Sequence, residues 1–495
     1  MSHNIRCYGT GIMIEDFMVK LWYADRHGVV VSRPFDMFVE SDKLLLVVAA
    51  IAGADIAKMG VCPFSRFPSS KLDSYEGSKL VFQPGPMTER LPEVEFTIDT
   101  SRPVETNFGI VGRGTTIIPL KATAEFWSED LVAKMAWPRE SRLAEADYIR
   151  VVRSRLARKP QYLHHIVDMK CWISRTMEEM KLPRASMALH NFEYERREFR
   201  MIVMKKYERL EQVESVDEFK RVFCDVVRAH YGVWETSSIL HRDTSSYNVM
   251  FYRDDGRVVG VLCDWDMAAC ISPEDEAVND DVDDDVPDSA AMKTQGTATM
   301  DGKPRAKAEY TTEAGVVNLR TEGRCKARQR TGTGPFMALD LLRAGPVPFP
   351  RYRYDLESFF FLLAWFCVVH DPVRHKFGHL PEWENSDMFT IGLYKREFLY
   401  HNGLFDQISR VGPTYLPLWE SWVEPLRFLL GLYILDQDGI NFLKRRLRAQ
   451  RKKHSAAMTT ATLEEIVVAK KRMHDPPTYE KFMEVLGEPL DITSS

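Results

Sequence analysis

The sequence lacks several features that would assign its class at once. None of its eight cysteines form a CxxC pair, which argues against a zinc site and against a disulfide framework. Its longest apolar runs, LLLVVAAIAGADIA and SFFFLLAWFCVV, are shorter than the roughly 20 residues of a membrane helix, so both predict core helices. The formal net charge is only −5 over 495 residues, which argues against bulk nucleic-acid binding.

These absences predict an intracellular protein. The first residues, MSHNIRCYGTGIMIEDF, lack the continuous apolar core of a secretory signal, and the scattered cysteines fit a reducing compartment. We therefore expect a soluble protein of the cytoplasm or the nucleus, with no membrane and no nucleic-acid partner. The one dense basic run, LKRRLRAQRKKH at 443–454, is either a nuclear localisation signal or an exposed charged helix face.

The order of the predicted elements indicates an α+β protein, with a strand-rich first half and a helical second half. Near the N-terminus two strands are predicted to join at Asp25 to Gly28, and SDKLLLVVAAIAGADIA predicts a helix that is capped by Ser41. Later, SVDEFKRVFCDVVRAHYGV predicts an amphipathic helix, and YDLESFFFLLAWFCVV predicts a strongly buried one.

The segment 271–329 differs in composition from the rest of the chain. Within it, SPEDEAVNDDVDDDVPDSA carries carboxylates and no basic residue, and the stretch that follows is poor in large apolar side chains. Such a composition cannot bury enough surface to offset the entropy of ordering, so we predict a disordered insertion. A solvated linker is favoured over a self-inhibitory segment.

The stretch ILHRDTSSYNVMF contains the first candidate chemistry. Asp243 could accept a proton from a positioned hydroxyl, and the amide oxygen of Asn248 could hold a metal ion. The alternative is a capping aspartate in a turn. Further on, Asp264 ends the apolar strand VVGVLC and could supply a second oxygen ligand for Mg²⁺, with Asp266 as the rival and a simple turn as the alternative.

A second group of candidates lies upstream. The stretch GIVGRGT places Gly109, Gly112 and Gly114 between two strands, and Lys134 follows on a strand whose neighbouring residues are apolar. Glycines let a backbone approach phosphate closely, and a lysine in such a strand needs an anion as its partner. A glycine turn alone is most often a hairpin, but the candidates together, in this order, are a strong signal for phosphate binding.

The ordered series resembles the eukaryotic protein-kinase fold, and more closely the fungal-type protein kinase family. The segments that carry the resemblance are GRGT, VAKMAWPRESRLAEADYI, ILHRDTSSYNVMF, GVLCDWDMA, RTGTGPFMALDLL and YRYDLESFFFLLAW. The family resemblance implies a two-lobed fold. It implies an N-terminal extension over 1–105, an N-lobe over 106–212 and a C-lobe over 213–490 that the insertion interrupts.

The resemblance also implies ATP and Mg²⁺ as cofactors, a protein substrate, and transfer of the γ-phosphate to Ser or Thr hydroxyls. Asp243 would orient and deprotonate the acceptor hydroxyl, and Asn248 and Asp264 would coordinate Mg²⁺. Lys134 would contact the phosphates and would be held by Glu145 from a helix.

Other residues have supporting roles by the same resemblance. Glu140 is the rival of Glu145, His241 would brace the catalytic loop, and Asp355 would anchor that loop from the buried helix. Arg242 could pair with a phosphorylated residue of the segment 271–333. The nucleotide-binding loop would comprise Gly112, Arg113 and Gly114.

The sequence departs from the family pattern at several positions. Ile117 replaces a third glycine, DWD lacks the usual glycine, and Ser245 replaces a lysine near the transferred phosphate. Leu339 and Asp340 stand where Pro and Glu are usual. Two alternatives therefore stay open, a small-molecule phosphotransferase on a related fold and a pseudokinase scaffold, although HRD, GTGPFMA and DLESF favour a protein kinase.

Overall fold

The structure is a computed structural model that describes residues 5–68, 75–83, 93–106, 109–121, 127–187, 194–271, 330–400, 410–452 and 456–492. The predicted disordered insertion lies outside the described residues, apart from Ile271. The chain divides into two compact units, the first of residues 1–146 and 167–206 and the second of 147–166 and 207–495. The predicted boundaries of the extension and lobes stay predictions.

The first unit is built on antiparallel sheets. Its central sheet has five strands, in the order Met169–Arg175, Phe199–Lys205, Leu131–Ala136, Thr116–Leu120 and Glu105–Thr106. Its apolar side chains, such as Phe199, share one core cluster with Phe96. The strands of the unit are β1 Tyr8–Glu15, β2 Met18–Asp25, β3 Gly28–Val31, β4 Phe35–Asp36, β5 Ser65–Arg66, β6 Lys79–Phe82, β7 Val94–Thr97, β8 Glu105–Thr106, β9 Thr116–Leu120, β10 Leu131–Ala136, β11 Met169–Arg175 and β12 Phe199–Lys205.

The predicted N-terminal hairpin is confirmed. Strands β2 and β3 pair antiparallel with Asp25 opposite Gly28, so the turn contains Arg26 and His27. The Asp25 carboxylate accepts hydrogen bonds from the backbone N–H groups of His27 at 2.9 Å and Gly28 at 3.2 Å. This side-chain capping explains why the polar sequence ADRHG forms a tight turn.

Helix α1, Ser41–Ala52, departs from its prediction in two ways. Its N-cap is Glu40 rather than Ser41, so the predicted cap is wrong. None of its residues is buried, and Leu46 is 72% exposed, so the prediction of a core helix is wrong for the part of the chain described here. The run is apolar on every side of the helix, and such a pattern does not specify which face would pack against a core.

The second unit holds two helices that were predicted from sequence. Helix α3, Val216–Ser237, begins at Ser215, whose Oγ accepts the N–H of Glu218, and its apolar face is buried as predicted. Helix α4, Tyr352–Val369, is buried along almost its whole length, which confirms the prediction from its apolar run. The core of this unit forms around these two helices, where the rings of Phe219 and Phe366 stack 3.8 Å apart.

The other elements complete an α+β fold. The remaining helices are α2 Glu145–Leu156, α5 Met388–Tyr400, α6 Glu424–Lys452, α7 Ala456–Arg472 and α8 Tyr479–Leu486, with a short helix Leu416–Leu418 and a π-helical turn Trp419–Val423 leading into α6. The remaining strands are β13 Glu208–Arg209, β14 Ile239–Leu240, β15 Val249–Asp254, β16 Arg257–Leu262, β17 Ala269–Cys270, β18 His370–Asp371 and β19 Lys376–Phe377. None of the helices that the structure describes has the length and apolar character that a bilayer crossing requires.

Candidate active site

The loop between β14 and β15 is anchored by a buried carboxylate from α4. The Asp355 Oδ2 atom accepts the N–H of His241 at 2.9 Å, and the N–H of Arg242 lies 3.1 Å from Oδ1. The ring of His230 contacts the same carboxylate at 2.8 Å. Burial alone would raise the pKa of Asp355, but the hydrogen bond from His230 and the nearby charges hold that pKa below its usual value. Asp355 therefore stays ionised and fixes the backbone of the loop.

His241 connects this loop to the strand end that follows β16. Its Nε2 atom lies 2.9 Å from the carbonyl oxygen of Cys263, and its ring packs edge-on against Trp265 at 4.8 Å. Burial lowers the pKa of His241, so the imidazole stays neutral. The neutral ring donates a hydrogen bond to the Cys263 carbonyl. It therefore links the loop that carries Asp243 to the strand end that precedes Asp264.

Asp243 is oriented on both sides. Thr333 donates its hydroxyl hydrogen to Asp243 Oδ1 at 2.9 Å, and the Asn248 side-chain amide donates to the Asp243 carbonyl oxygen at 2.7 Å. The carboxylate is only half-buried, and together with Arg242 and Thr333 it lines a small pocket of about 20 Å³ in the second unit. A substrate hydroxyl could therefore reach a carboxylate whose orientation is already fixed.

Asn248 and Asp264 lie at the same end of the β15–β16 hairpin. The N–H of Cys263 donates to the Asn248 carbonyl at 2.8 Å, and Val249 is paired with Leu262. Asp264 has a left-handed backbone with φ of 61°, and its carboxylate accepts the N–H of Asp266. That conformation is uncommon for a residue with a side chain, and the hydrogen bond from Asp266 accompanies it here.

The donor set at this end of the hairpin fits Mg²⁺. The Asn248 amide nitrogen is bound to Asp243, so its oxygen is the atom left to act as a ligand, and Asp264 adds carboxylate oxygens. Amide and carboxylate oxygens are the ligands that Mg²⁺ prefers, and it takes few of them when substrate phosphates complete its shell. In the described residues no group of three or more His, Cys, Asp or Glu side chains could hold a metal by itself.

The first unit contains the predicted lysine pair. Lys134 lies on β10, and its Nζ donates to Glu145 Oε2 at 2.8 Å, with side chains that are 8% and 7% exposed. This is the partner predicted from the sequence. The rival, Glu140, instead contacts Arg196 at 2.5 Å. A buried ammonium group needs a counter-charge, so Glu145 at the start of α2 holds the lysine in a defined position.

The glycine-rich loop lies between β8 and β9, and residues 107 and 108 fall outside the described part of the chain. Gly112 and Gly114 have φ of 103° and 51°, and the first of these in particular favours glycine. The carbonyl of Arg113 accepts the N–H of Trp137 at 2.7 Å, which ties the loop to the end of β10. The loop is also contacted by Arg26 of the N-terminal hairpin, a residue that the sequence did not single out.

The altered residues after GTGPFMA have their own ion pairs. The N–H of Leu339 donates to Glu357 at 3.0 Å, and Arg353 lies 2.6 Å from that glutamate. Arg353 also pairs with Asp340. The segment is therefore anchored although Leu339 and Asp340 depart from the family pattern. The anchoring residue is Arg353, which was not predicted from the sequence.

A second missed residue is Lys395 on α5. Its Nζ donates to the Met337 carbonyl at 2.7 Å and lies 3.9 Å from the ring centre of Phe361. Burial lowers the pKa of Lys395 well below its ordinary value. This lysine therefore supports the backbone of the segment that carries Thr333. Lys395 is followed by Arg396 and Glu397 in the sequence, and its partner Met337 is 58 positions away, so no local pattern singles it out.

These features define a kinase-like α+β protein. The chain belongs to the fungal protein kinase family, because it matches that family over residues 1–299 and 315–367. No match was found among the curated proteins. Among solved structures, the kinase PK-1 of Cydia pomonella granulovirus is similar at 10% identity and a TM-score of 0.26, over 50% of this chain and 61% of that one. The predicted family is confirmed.

Proposed function

We propose that the protein is an ATP- and Mg²⁺-dependent protein kinase that transfers the γ-phosphoryl group to Ser or Thr hydroxyls. One observation carries the proposal: Asp243 is oriented by Thr333 and Asn248 on a loop that the buried Asp355 anchors. In this proposal the first and second compact units correspond to the N-lobe and the C-lobe of a two-lobed kinase.

Asp243 serves as the catalytic base. A half-buried carboxylate held at a fixed orientation accepts the hydrogen bond of the acceptor hydroxyl, and takes its proton as the oxygen attacks phosphorus. Thr333 donates to the Oδ1 atom at 2.9 Å, which fixes the orientation of the carboxylate. Arg242, with φ of 67°, forms the backbone bend that presents Asp243.

The phosphates are held by the other predicted residues. Lys134, fixed by Glu145, contacts the phosphates, and the glycine-rich loop covers them with backbone N–H groups. Asn248 and Asp264 hold Mg²⁺, which when bound supplies charge neutralisation at the phosphate oxygens. The protein thus contributes positioning and electrostatics, which is what a loose phosphoryl-transfer transition state requires.

A protein acceptor is favoured over a small molecule because the segment around Thr333 has a defined, supported shape. Lys395 holds the Met337 carbonyl, and Arg353 holds the Leu339–Leu342 turn through Asp340. A rigid surface of this kind beside the base suits an extended peptide. Ser245, in place of a lysine near the transferred phosphate, keeps the small-molecule phosphotransferase as the second candidate.

The test is a transfer assay with the full chain, γ-labelled ATP, Mg²⁺ and a mixture of protein and small-molecule acceptors. Label on protein Ser or Thr supports the proposal, whereas label on a small molecule supports the second candidate. Bound nucleotide without any transfer indicates a pseudokinase. The matched variants are Asp264→Asn, which should lose transfer by about a hundredfold or more, and Asp266→Asn, which should retain it.

A further inference from the structure

The turn of the N-terminal hairpin contacts the glycine-rich loop through Arg26. The guanidinium of Arg26 donates from Nη1 to the carbonyl of Gly109, and the Ile110 carbonyl lies 3.5 Å from the same nitrogen. In the reverse direction, the N–H of Gly112 donates to the Arg26 carbonyl at 3.0 Å. Arg26 thus bonds to the loop with both its side chain and its backbone.

Gly114 closes the contact on the other side. A Cβ atom added to Gly114 would lie 2.1 Å from Arg26 Cζ, far inside van der Waals contact. Glycine at this position therefore leaves space for the guanidinium. It also adopts the positive φ of 51° without strain. The loop and the arginine fit each other in shape.

The turn that carries Arg26 is rigid. Asp25 receives a bidentate contact from Arg184, with Nε 2.8 Å from Oδ2 and Nη2 2.8 Å from Oδ1, and both residues are buried. Tyr23 adds its hydroxyl at 2.8 Å, and the ring of His27 contacts the Arg197 carbonyl at 3.1 Å. Bidentate arginine–carboxylate pairs fix geometry as well as charge, so the turn is held independently of the loop.

Arg26 is buried, which is unusual for a charged side chain. The residue is 4% exposed. Its Nε atom is buried without a hydrogen-bond partner among the described residues. Burying a cation in this way costs stability. The hydrogen bonds from its charged guanidinium to two carbonyls of the glycine-rich loop offset part of that cost.

From these contacts we propose that Arg26 is a positioning residue, which holds the glycine-rich loop in the shape that receives the phosphates of ATP. The proposal rests on the proposed function, because it assigns that loop to phosphate binding. It also gives the N-terminal extension a role in the reaction: its hairpin turn sets the conformation of the nucleotide loop. Arg26 itself need not touch the nucleotide.

The experiment compares nucleotides with and without phosphates on the full chain. In Arg26→Ala, the Kd for ATP should rise by about tenfold or more, since hydrogen bonds from a charged donor are lost. The Kd for adenosine, which has no phosphates, should stay within about twofold, and KM for ATP should rise more than kcat falls. Arg33→Ala, an exposed arginine of the same extension, is the matched control and should change neither constant.

The outcomes separate this inference from the proposed function. Equal losses of ATP and adenosine binding would indicate a general structural defect and overturn the inference. If Arg26→Ala does not fold, the conservative Arg26→Lys keeps the charge, and it should show an intermediate rise for ATP alone. A Lys134→Ala variant tests the site: if it weakens ATP and the Arg26 variants do not, only this inference fails. If Lys134→Ala has no effect either, both fail.

Discussion

Helices α1 and α4 contain the longest apolar runs of the chain, and they lie in opposite environments. Every residue of α1 is at least partly exposed, whereas α4 is buried nearly throughout. The two apolar runs also differ in the charged residues that they contain. Between Lys43 and Asp55 the α1 run has no charged side chain, while α4 carries Asp355 and Glu357 inside its apolar sequence.

Buried polar groups require partners, and this requirement gives α4 its importance. Asp355 binds the backbone of the catalytic loop, and Glu357 binds the backbone of Leu339 beyond Thr333. One helix therefore aligns both segments that contact Asp243. Apolar content alone does not place a helix in the core, whereas polar groups with specific partners tie α4 to the site.

The largest effect is expected from Asp355→Ala. The change leaves the N–H groups of His241 and Arg242 without their acceptor inside the protein. We expect a loss of stability of about 3–5 kcal/mol and a fall in phosphoryl transfer of about a hundredfold or more. Thermal unfolding and transfer rates measure both. Ser358→Ala on the same helix is the control, and an equal loss of activity there would contradict a specific role for Asp355.

A smaller effect is expected from removing apolar contacts of α4. Leu363 is fully buried, so Leu363→Ala should lower the free energy of unfolding by about 2–5 kcal/mol through lost burial and the cavity left behind. Chemical denaturation measures this change. A value below about 1 kcal/mol would show that α4 is not the core helix of its unit.

The pH dependence should follow the histidine that caps α4. Burial lowers the pKa of His370, so the unfolded chain takes up a proton before the folded one does. Stability should therefore fall as pH drops below about 6.5, by at most about 1.4 kcal/mol per pH unit for this group. His370→Gln should reduce that slope. His379→Gln, at a side chain that is 87% exposed, should not. Equal slopes in the two variants would contradict the assignment.

The smallest effect is expected in α1. Leu46→Ala keeps a strong helix former and removes a side chain that is 72% exposed, so the free energy of unfolding should change by less than about 0.5 kcal/mol. The measurement is the same denaturation used for Leu363→Ala. A loss of several kcal/mol in Leu46→Ala would remove the contrast between the helices.

Local patterns were enough to predict many elements. The apolar periodicity of SVDEFKRVFCDVVRAHYGV predicted α3, ADRHG predicted the β2–β3 turn, and the apolar strand around Lys134 predicted β10. Each depends on residues that are close in the sequence. The choice of Glu145 as the partner of Lys134 was also correct in geometry, because its helix follows within a few residues.

Other features depend on tertiary contacts that no local pattern carries. Arg26 reaches Gly109 across 83 positions, and Lys395 reaches Met337 across 58. The exposure of α1 likewise depends on what the rest of its unit provides. Residue types and spacing can identify a candidate base or metal ligand. The residues that hold the loops in place come from distant segments of the chain, so only the tertiary structure identifies them.

The most direct test of the account is the rate of γ-phosphoryl transfer by Asp243→Asn. Asparagine has the same shape and can still accept the hydroxyl of Thr333, so the fold and the affinity for ATP should be unchanged. The account predicts that kcat falls by about a hundredfold or more at saturating ATP. A variant that folds, binds ATP and retains transfer within about threefold of the natural protein would contradict it.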